Sequence, residues 1–92
     1  MAANEVYYTT RKSSKTGTGR IIYINRNWGF MSGDSVKVNI YPVGRPKDGV
    51  TVYKKISATG SGSLGVYLDR NWGFDDNELL VMAVSHNEKE II

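Results

Sequence analysis

The pentapeptide Arg-Asn-Trp-Gly-Phe occurs twice in the chain, at residues 26–30 and 70–74. A tryptophan-containing pentapeptide repeated at an offset of 44 marks an internal duplication, and a duplication limits the possible folds more than any composition figure. The alignment runs without a gap from 5–41 onto 49–85. Eight of the 37 pairs are identical: Val6/Val50, Ser13/Ser57, Tyr23/Tyr67 and the pentapeptide. Others keep their chemistry, among them Ile22/Val66, Ile24/Leu68, Asn25/Asp69, Asp34/Glu78, Val36/Leu80, Val38/Met82 and Ile40/Val84. The expectation is one domain, 1–92, built from two repeats, 5–44 and 49–88. Residues 45–48 link them, with Pro46 and the following Gly49 supplying turn chemistry.

Within each repeat the pattern predicts a hairpin, a turn and a further strand. VYYTTRK and VTVYKKI are rich in β-branched and aromatic residues with polar admixture, as in half-exposed strands. SSKTGTG and SATGSGS have the small, polar, glycine-rich composition of long hairpin loops. RIIYI and GVYL are short apolar runs suited to buried strands. SVKVNIY alternates, with Val36, Val38 and Ile40 on one face and Lys37, Asn39 and Tyr41 on the other. LLVMAVS turns Leu80, Met82 and Val84 inward, but Leu79, Val81 and Ala83 make its other face apolar too. That face needs a cover, from the other repeat or from a second chain.

The pentapeptide itself reads as one helical turn. Asn25 and Asp69 are good N-caps, and Gly29 and Gly73 suit the left-handed residue that ends a turn. Trp28, Phe30, Trp72 and Phe74 are then expected to fold inward as core plugs, with Arg26, Asn27, Arg70 and Asn71 left towards solvent. The predicted fold is all-β: a small pseudo-two-fold β-barrel of two β-hairpin-turn-β repeats, each with one short helical turn.

Composition removes several function classes. Cysteine is absent, so disulfides and thiolate metal sites are ruled out. No apolar run reaches the ~18 residues of a membrane-spanning helix, and the first residues lack a signal peptide's hydrophobic stretch, so a cytoplasmic protein without membrane association is expected. GSGSLG satisfies G-x-G-x-x-G, but a strand follows where a phosphate-binding helix would have to start, so the segment reads as a flexible loop. His86, the single histidine, falls in the polar tail and reads as a surface residue. Asp75, Asp76 and Glu78 lack the ligand spacing of a calcium loop and read as a solvated acidic turn. No catalytic constellation and no cofactor are expected.

Charge is the remaining signal. Residues 1–44 hold six Lys/Arg against two acids, and residues 45–92 six against seven. Arg11, Lys12, Lys15 and Arg20 surround the first hairpin, with Ser and Thr hydroxyls between them, a composition that can contact phosphates. Arg26 lies in the first turn. The second repeat offers Lys54, Lys55 and Arg70, while its loop is uncharged.

Thr18, Gly19, Arg20, Ile22 and Ile24, then Trp28, Gly29 and Phe30, then Gly33, Asp34, Val36, Val38 and Ile40 follow one another in an order that resembles the AbrB/SpoVT family of swapped-hairpin DNA-binding domains. The second copy matches less fully, through Val66, Leu68, Trp72, Gly73, Phe74, Glu78, Leu80, Met82 and Val84. The family's helix-opening proline is Asn25 or Asp69 here, and the helix is shorter by about a turn. The family usually dimerises single copies, and duplication could supply the same pseudo-two-fold in one chain. The resemblance implies a DNA-binding transcriptional regulator that contacts duplex DNA through Arg11, Lys12, Lys15, Arg20, Arg26, Lys54, Lys55 and Arg70. The alternative is an antitoxin-like or inhibitory protein-interaction module on the same barrel, with a protein partner or homodimer formed through the second repeat.

Overall fold

The computed structural model describes residues 5–17 and 19–87. Thr18 and the tail 88–92 lie outside the described residues. Eight strands form: β1 (Val6–Lys12), β2 (Ser14–Thr16), β3 (Gly19–Tyr23), β4 (Ser35–Pro42), β5 (Val50–Lys55), β6 (Ser57–Ala58), β7 (Leu64–Tyr67) and β8 (Leu79–His86). Single 3-10 turns cover Arg26–Trp28, Pro46–Asp48 and Arg70–Trp72. The chain is all-β, as the alternating and β-branched segments imply.

The strands lie in two antiparallel sheets, ordered β1-β8-β4-β5 and β2-β3-β7-β6. Each sheet takes two strands from each repeat. The edge strand β1 runs into β2 through the single residue Ser13, and β5 runs into β6 through Ile56. Strands that bend from one sheet into the other make the corners of such a fold. In place of one continuously hydrogen-bonded ring there are two facing sheets, joined covalently at two corners.

The register exposes the duplication and corrects its alignment. In the β3–β7 pair Ile22 faces Val66, and in the β4–β8 pair Asn39 faces Ala83. Both pairs join residues 44 apart, so the approximate two-fold runs through them. The outer strands break that offset. Val6 pairs with Ser85 in β1–β8, which an offset of 44 would map onto Val50 and Tyr41; Val50 instead pairs with Ile40. A one-residue slip exchanges the faces of a strand. Tyr7 and Thr9 accordingly turn inward on β1, whereas Val50, Val52 and Lys54 do so on β5. The spatial partner of Val50 is Tyr7, and that of Ile56 is Ser13.

The frame is restored in the hairpin loops. The β2–β3 ladder ends with Thr16 opposite Gly19, with two residues between them in the chain. The β6–β7 ladder continues to a Thr59 N–H donating to Ser63 O at 2.9 Å, leaving 60–62 between them. The second loop is one residue longer. The loops are therefore unequal, and the identities Val6/Val50 and Ser13/Ser57 do not correspond in space. Part of each segment expected to be loop is strand, because Ser14–Thr16 and Ser57–Ala58 pair with their hairpin partners.

The core lies between the sheets. Ile22, Ile24, Phe30, Val36, Val38, Ile40, Ile56, Val66, Leu80, Met82 and Val84 are buried and in mutual contact. The alternation of β4 and β8 delivers these residues as expected. Ile21 points to the opposite face from Ile22 yet is fully buried. Its side chain fills the space where a Cβ on Gly65 would stand, 2.7 Å from Ile21 Cδ1 and from Ile22 O. One repeat's isoleucine thus occupies the other repeat's glycine.

Candidate nucleic-acid interface

The two Arg-Asn-Trp-Gly-Phe turns have the same backbone. Asn25 Oδ1 accepts from Asn27 N–H at 2.8 Å, and Asp69 Oδ1 accepts from Asn71 N–H at 2.9 Å. Gly29 and Gly73 close the turns at φ 87° and 76°, a left-handed conformation that glycine reaches without Cβ strain. Both also hold the turn that follows: Met31 N–H donates to Asp34 Oδ2 and Asp75 N–H to Glu78 Oε1.

Their side chains are covered differently. Trp28 stacks on Tyr7 with centroids 5.4 Å apart, and Phe30 is buried beneath them, edge-on to Tyr7. Trp72 packs against Phe74 and lies under the Lys54 ammonium, 5.2 Å from the ring centroid. Neither indole is fully buried. Only Phe30 is the enclosed plug that the sequence suggested; the tryptophans and Phe74 are half-buried flaps on the core. The difference follows from the slipped register, which brings Tyr7 inward on β1 and Lys54 inward on β5.

The expected phosphate-contacting residues divide into two groups. Four exposed cations, Arg11, Lys12, Lys15 and Lys55, form no ion pair among the described residues. The first three sit on β1 and β2 around the first hairpin. Lys55 is on β5, at the far side of the first sheet. Others have internal duties. Arg20 Nε donates to Ser13 Oγ at 2.8 Å and lies 3.3 Å from Asp76 Oδ1. Arg20 Nη2 donates to the carbonyls of Ser13 and Asp76. It thereby satisfies the buried Ser13 at the corner between the sheets. Lys54 donates to Tyr67 O at 2.9 Å as well as covering Trp72. Arg26 donates to Gly62 O, tying the first turn to the second hairpin loop. Arg70 is exposed beside its indole.

The longer second loop closes onto Arg26. Beside the first hairpin lies a cavity of about 400 Å³. Lys15, Arg20 and Arg70 stand around it with Asp69 and Asp76, over a floor that includes Leu68 and Phe74. The lining mixes three cations with two carboxylates and apolar surface from Leu68 and Phe74.

Two features escaped the sequence reading. The acidic turn is not simply solvated, because Asp76 pairs with Arg20 and Glu78 pairs with Arg45, which also meets Asp48 at 3.3 Å. The signal was that copy one has Met31 and Ser32 where copy two has two aspartates. His86 is not in a polar tail: it ends β8, opposite Val36, with its ring 5.3 Å from that of Phe30. On the first strand, Tyr7 donates its hydroxyl to Glu5 Oε2 at 2.6 Å, and this bond raises the phenol above its ordinary pKa. No described helix is long and apolar enough to cross a membrane.

Comparison of the chain with protein-family models, curated proteins and solved structures finds no match.

Proposed function

We propose that the chain is a cytoplasmic, non-catalytic regulator that binds duplex DNA through the basic first hairpin of its first repeat. The observation that carries this reading is the grouping of Arg11, Lys12 and Lys15 around the first hairpin, exposed and without ion pairs among the described residues. Unpaired Lys and Arg on a short hairpin can meet phosphates without first giving up internal partners, so the release of counterions from DNA drives binding. Arg20 and Lys54 act as structural cations in this scheme, and Arg26 holds the second loop. The resemblance to swapped-hairpin DNA-binding domains supports the same reading: each repeat contributes two strands to each sheet, as the interleaving of two family chains would require.

The test is fluorescence anisotropy with a labelled duplex between about 50 and 200 mM salt. Binding should weaken with salt, and Arg11→Ala/Lys12→Ala/Lys15→Ala should lower the slope by about one unit for each phosphate no longer neutralised. Absence of salt-sensitive binding by the parent chain, or unchanged binding by the triple variant, refutes the reading. A protein-interaction role is the second reading, favoured by the outward Leu79 of β8, which is 44% exposed. Light scattering that shows self-association removed by Leu79→Lys would support it.

A further inference from the structure

The outward face of the first sheet carries a different set of cations, interleaved with aromatic rings. Alternation along the strands turns Tyr8, Thr10 and Lys12 of β1 away from the core. It does the same for Lys37, Asn39 and Tyr41 of β4 and for Thr51, Tyr53 and Lys55 of β5. Between them β8 presents Val81, Ala83 and Ser85. Among the described residues, this face holds three lysines and three tyrosines and no carboxylate. Among the described residues, the acids of the second repeat, Asp69, Asp75, Asp76 and Glu78, lie outside the strands.

Two of the rings are open to solvent, Tyr8 at 65% and Tyr53 at 53%. Rings so exposed in the middle of strands contribute little to the core. On a carboxylate-free sheet they complement a polyanion that itself carries flat aromatic groups.

The register places these groups relative to one another. Tyr8, Ala83, Asn39 and Thr51 form one row across the four strands, and Val6, Ser85, Lys37 and Tyr53 form the next. Tyr8 and Lys37 therefore flank a depression of about 350 Å³ floored by the small side chains of Ala83 and Ser85. At a strand spacing of ~4.8 Å, Tyr8 and Tyr53 stand three strands, or about 14 Å, apart across the sheet. That separation is too wide for one continuous base stack but suits bases splayed from an extended strand. Asn39 Nδ2 donates to Val50 O and Thr51 Oγ1, each at 3.1 Å, so its Oδ1 remains as the acceptor for a base edge.

We propose that this face binds single-stranded nucleic acid, with bases stacking on Tyr8 and Tyr53 and phosphates meeting Lys12, Lys37 and Lys55. Stacking on a flat sheet requires unpaired bases, and every base offers a π-face, so recognition is sequence-tolerant. A duplex hides those faces and would use the hairpin instead. Lys12, at the edge of β1, is the one cation the two surfaces share.

The experiment uses the full chain with fluorescein-labelled oligothymidine, oligouridine and a duplex, read by anisotropy, with circular dichroism checking each variant's fold. At least one single strand should bind, and the two arms tell DNA from RNA. Tyr8→Ala/Tyr53→Ala should weaken that binding about tenfold or more, given stacking worth ~1–3 kcal/mol per base. Tyr8→Phe/Tyr53→Phe should retain it, since the ring and not the hydroxyl stacks. Lys37→Ala should reduce the salt slope. Arg11→Ala/Lys15→Ala should weaken the duplex and leave the single strand within about twofold. The two readings therefore fail separately. The proposal is overturned if neither single strand binds, if the double alanine variant binds like its parent, or if only the hairpin variant abolishes single-strand binding.

Discussion

The same five residues build two turns that share a backbone and differ in what surrounds them. In the first turn the indole lies on an aromatic neighbour, Tyr7, above a buried Phe30, and its arginine grips the opposite hairpin. In the second the indole lies under a lysine and Phe74 is half-buried. A single extra residue in the second loop shifts β1 and β5 by one place relative to each other, and that shift decides which side chain reaches each tryptophan. Duplication thus preserved local geometry, where caps and glycines act within five residues. Divergence acted on the packing between strands far apart in the chain.

The largest effect should come from the tryptophans. Full truncation of a buried aromatic costs roughly 3–5 kcal/mol, and half-buried rings cost less. Trp28→Ala should destabilise by about 2–3 kcal/mol, because it also leaves Tyr7 and Phe30 without their neighbour. Trp72→Ala should destabilise by about 1–2 kcal/mol, its cover being a lysine stem and a cation–π contact. Urea denaturation of both variants measures the difference; equal costs would remove the distinction drawn between the turns.

Next comes the seam between the repeats. Gly65→Ala places a methyl group 2.7 Å from Ile21 and from a backbone carbonyl, so it should cost about 1–3 kcal/mol. Pairing it with Ile21→Val should recover part of that stability, because the removed carbon is in the same space. If the double variant were no better than the glycine substitution alone, packing of Ile21 over Gly65 would not be the cause.

Gly29→Ala and Gly73→Ala sharpen the comparison from the other side. Both residues are left-handed, so each substitution should cost about 1 kcal/mol and the two should agree closely. Unequal costs would mean that the turns themselves, and not only their covers, have diverged.

What the sequence made legible was local or periodic. The caps Asn25 and Asp69, the left-handed glycines and the inward rows of β4 and β8 each depend on spacing within one segment, and all stand as expected. The half-burial of Trp28 and Trp72 was not legible, because it depends on which residue crosses from a strand tens of positions away. The gapless offset misled for a related reason. Chance identities at Val6/Val50 and Ser13/Ser57 held the alignment straight through a loop where one residue had been added. Of the candidate phosphate-binding residues, Arg11, Lys12 and Lys15 could be found from charge clustering. The commitment of Arg20 to Asp76 could not, since it joins residues 56 positions apart.

Smaller still is the exposed ion pair. Asp76→Asn should change stability by at most ~1 kcal/mol, as for other solvent-exposed pairs. It should raise duplex affinity by removing a carboxylate from the cavity beside the first hairpin. Weaker binding would assign Asp76 a positioning role instead. The smallest effect concerns Tyr7. Its phenol is raised when folded, chiefly by the bond to Glu5, so the stability from that bond is fully present below the ordinary tyrosine range and disappears as pH rises through the folded value. Glu5→Gln should lower the alkaline absorbance midpoint of one tyrosine; no shift would contradict the hydrogen bond.

The assignment of DNA binding to the charged first hairpin is tested most directly by amide chemical-shift mapping of the full chain during titration with a short duplex. Shifts should gather at Arg11, Lys12, Lys15 and the flanking amides of the first hairpin, and spare Ser57, Ala58 and the second loop. Equal shifts at both hairpins, or shifts centred on the second, would contradict the account.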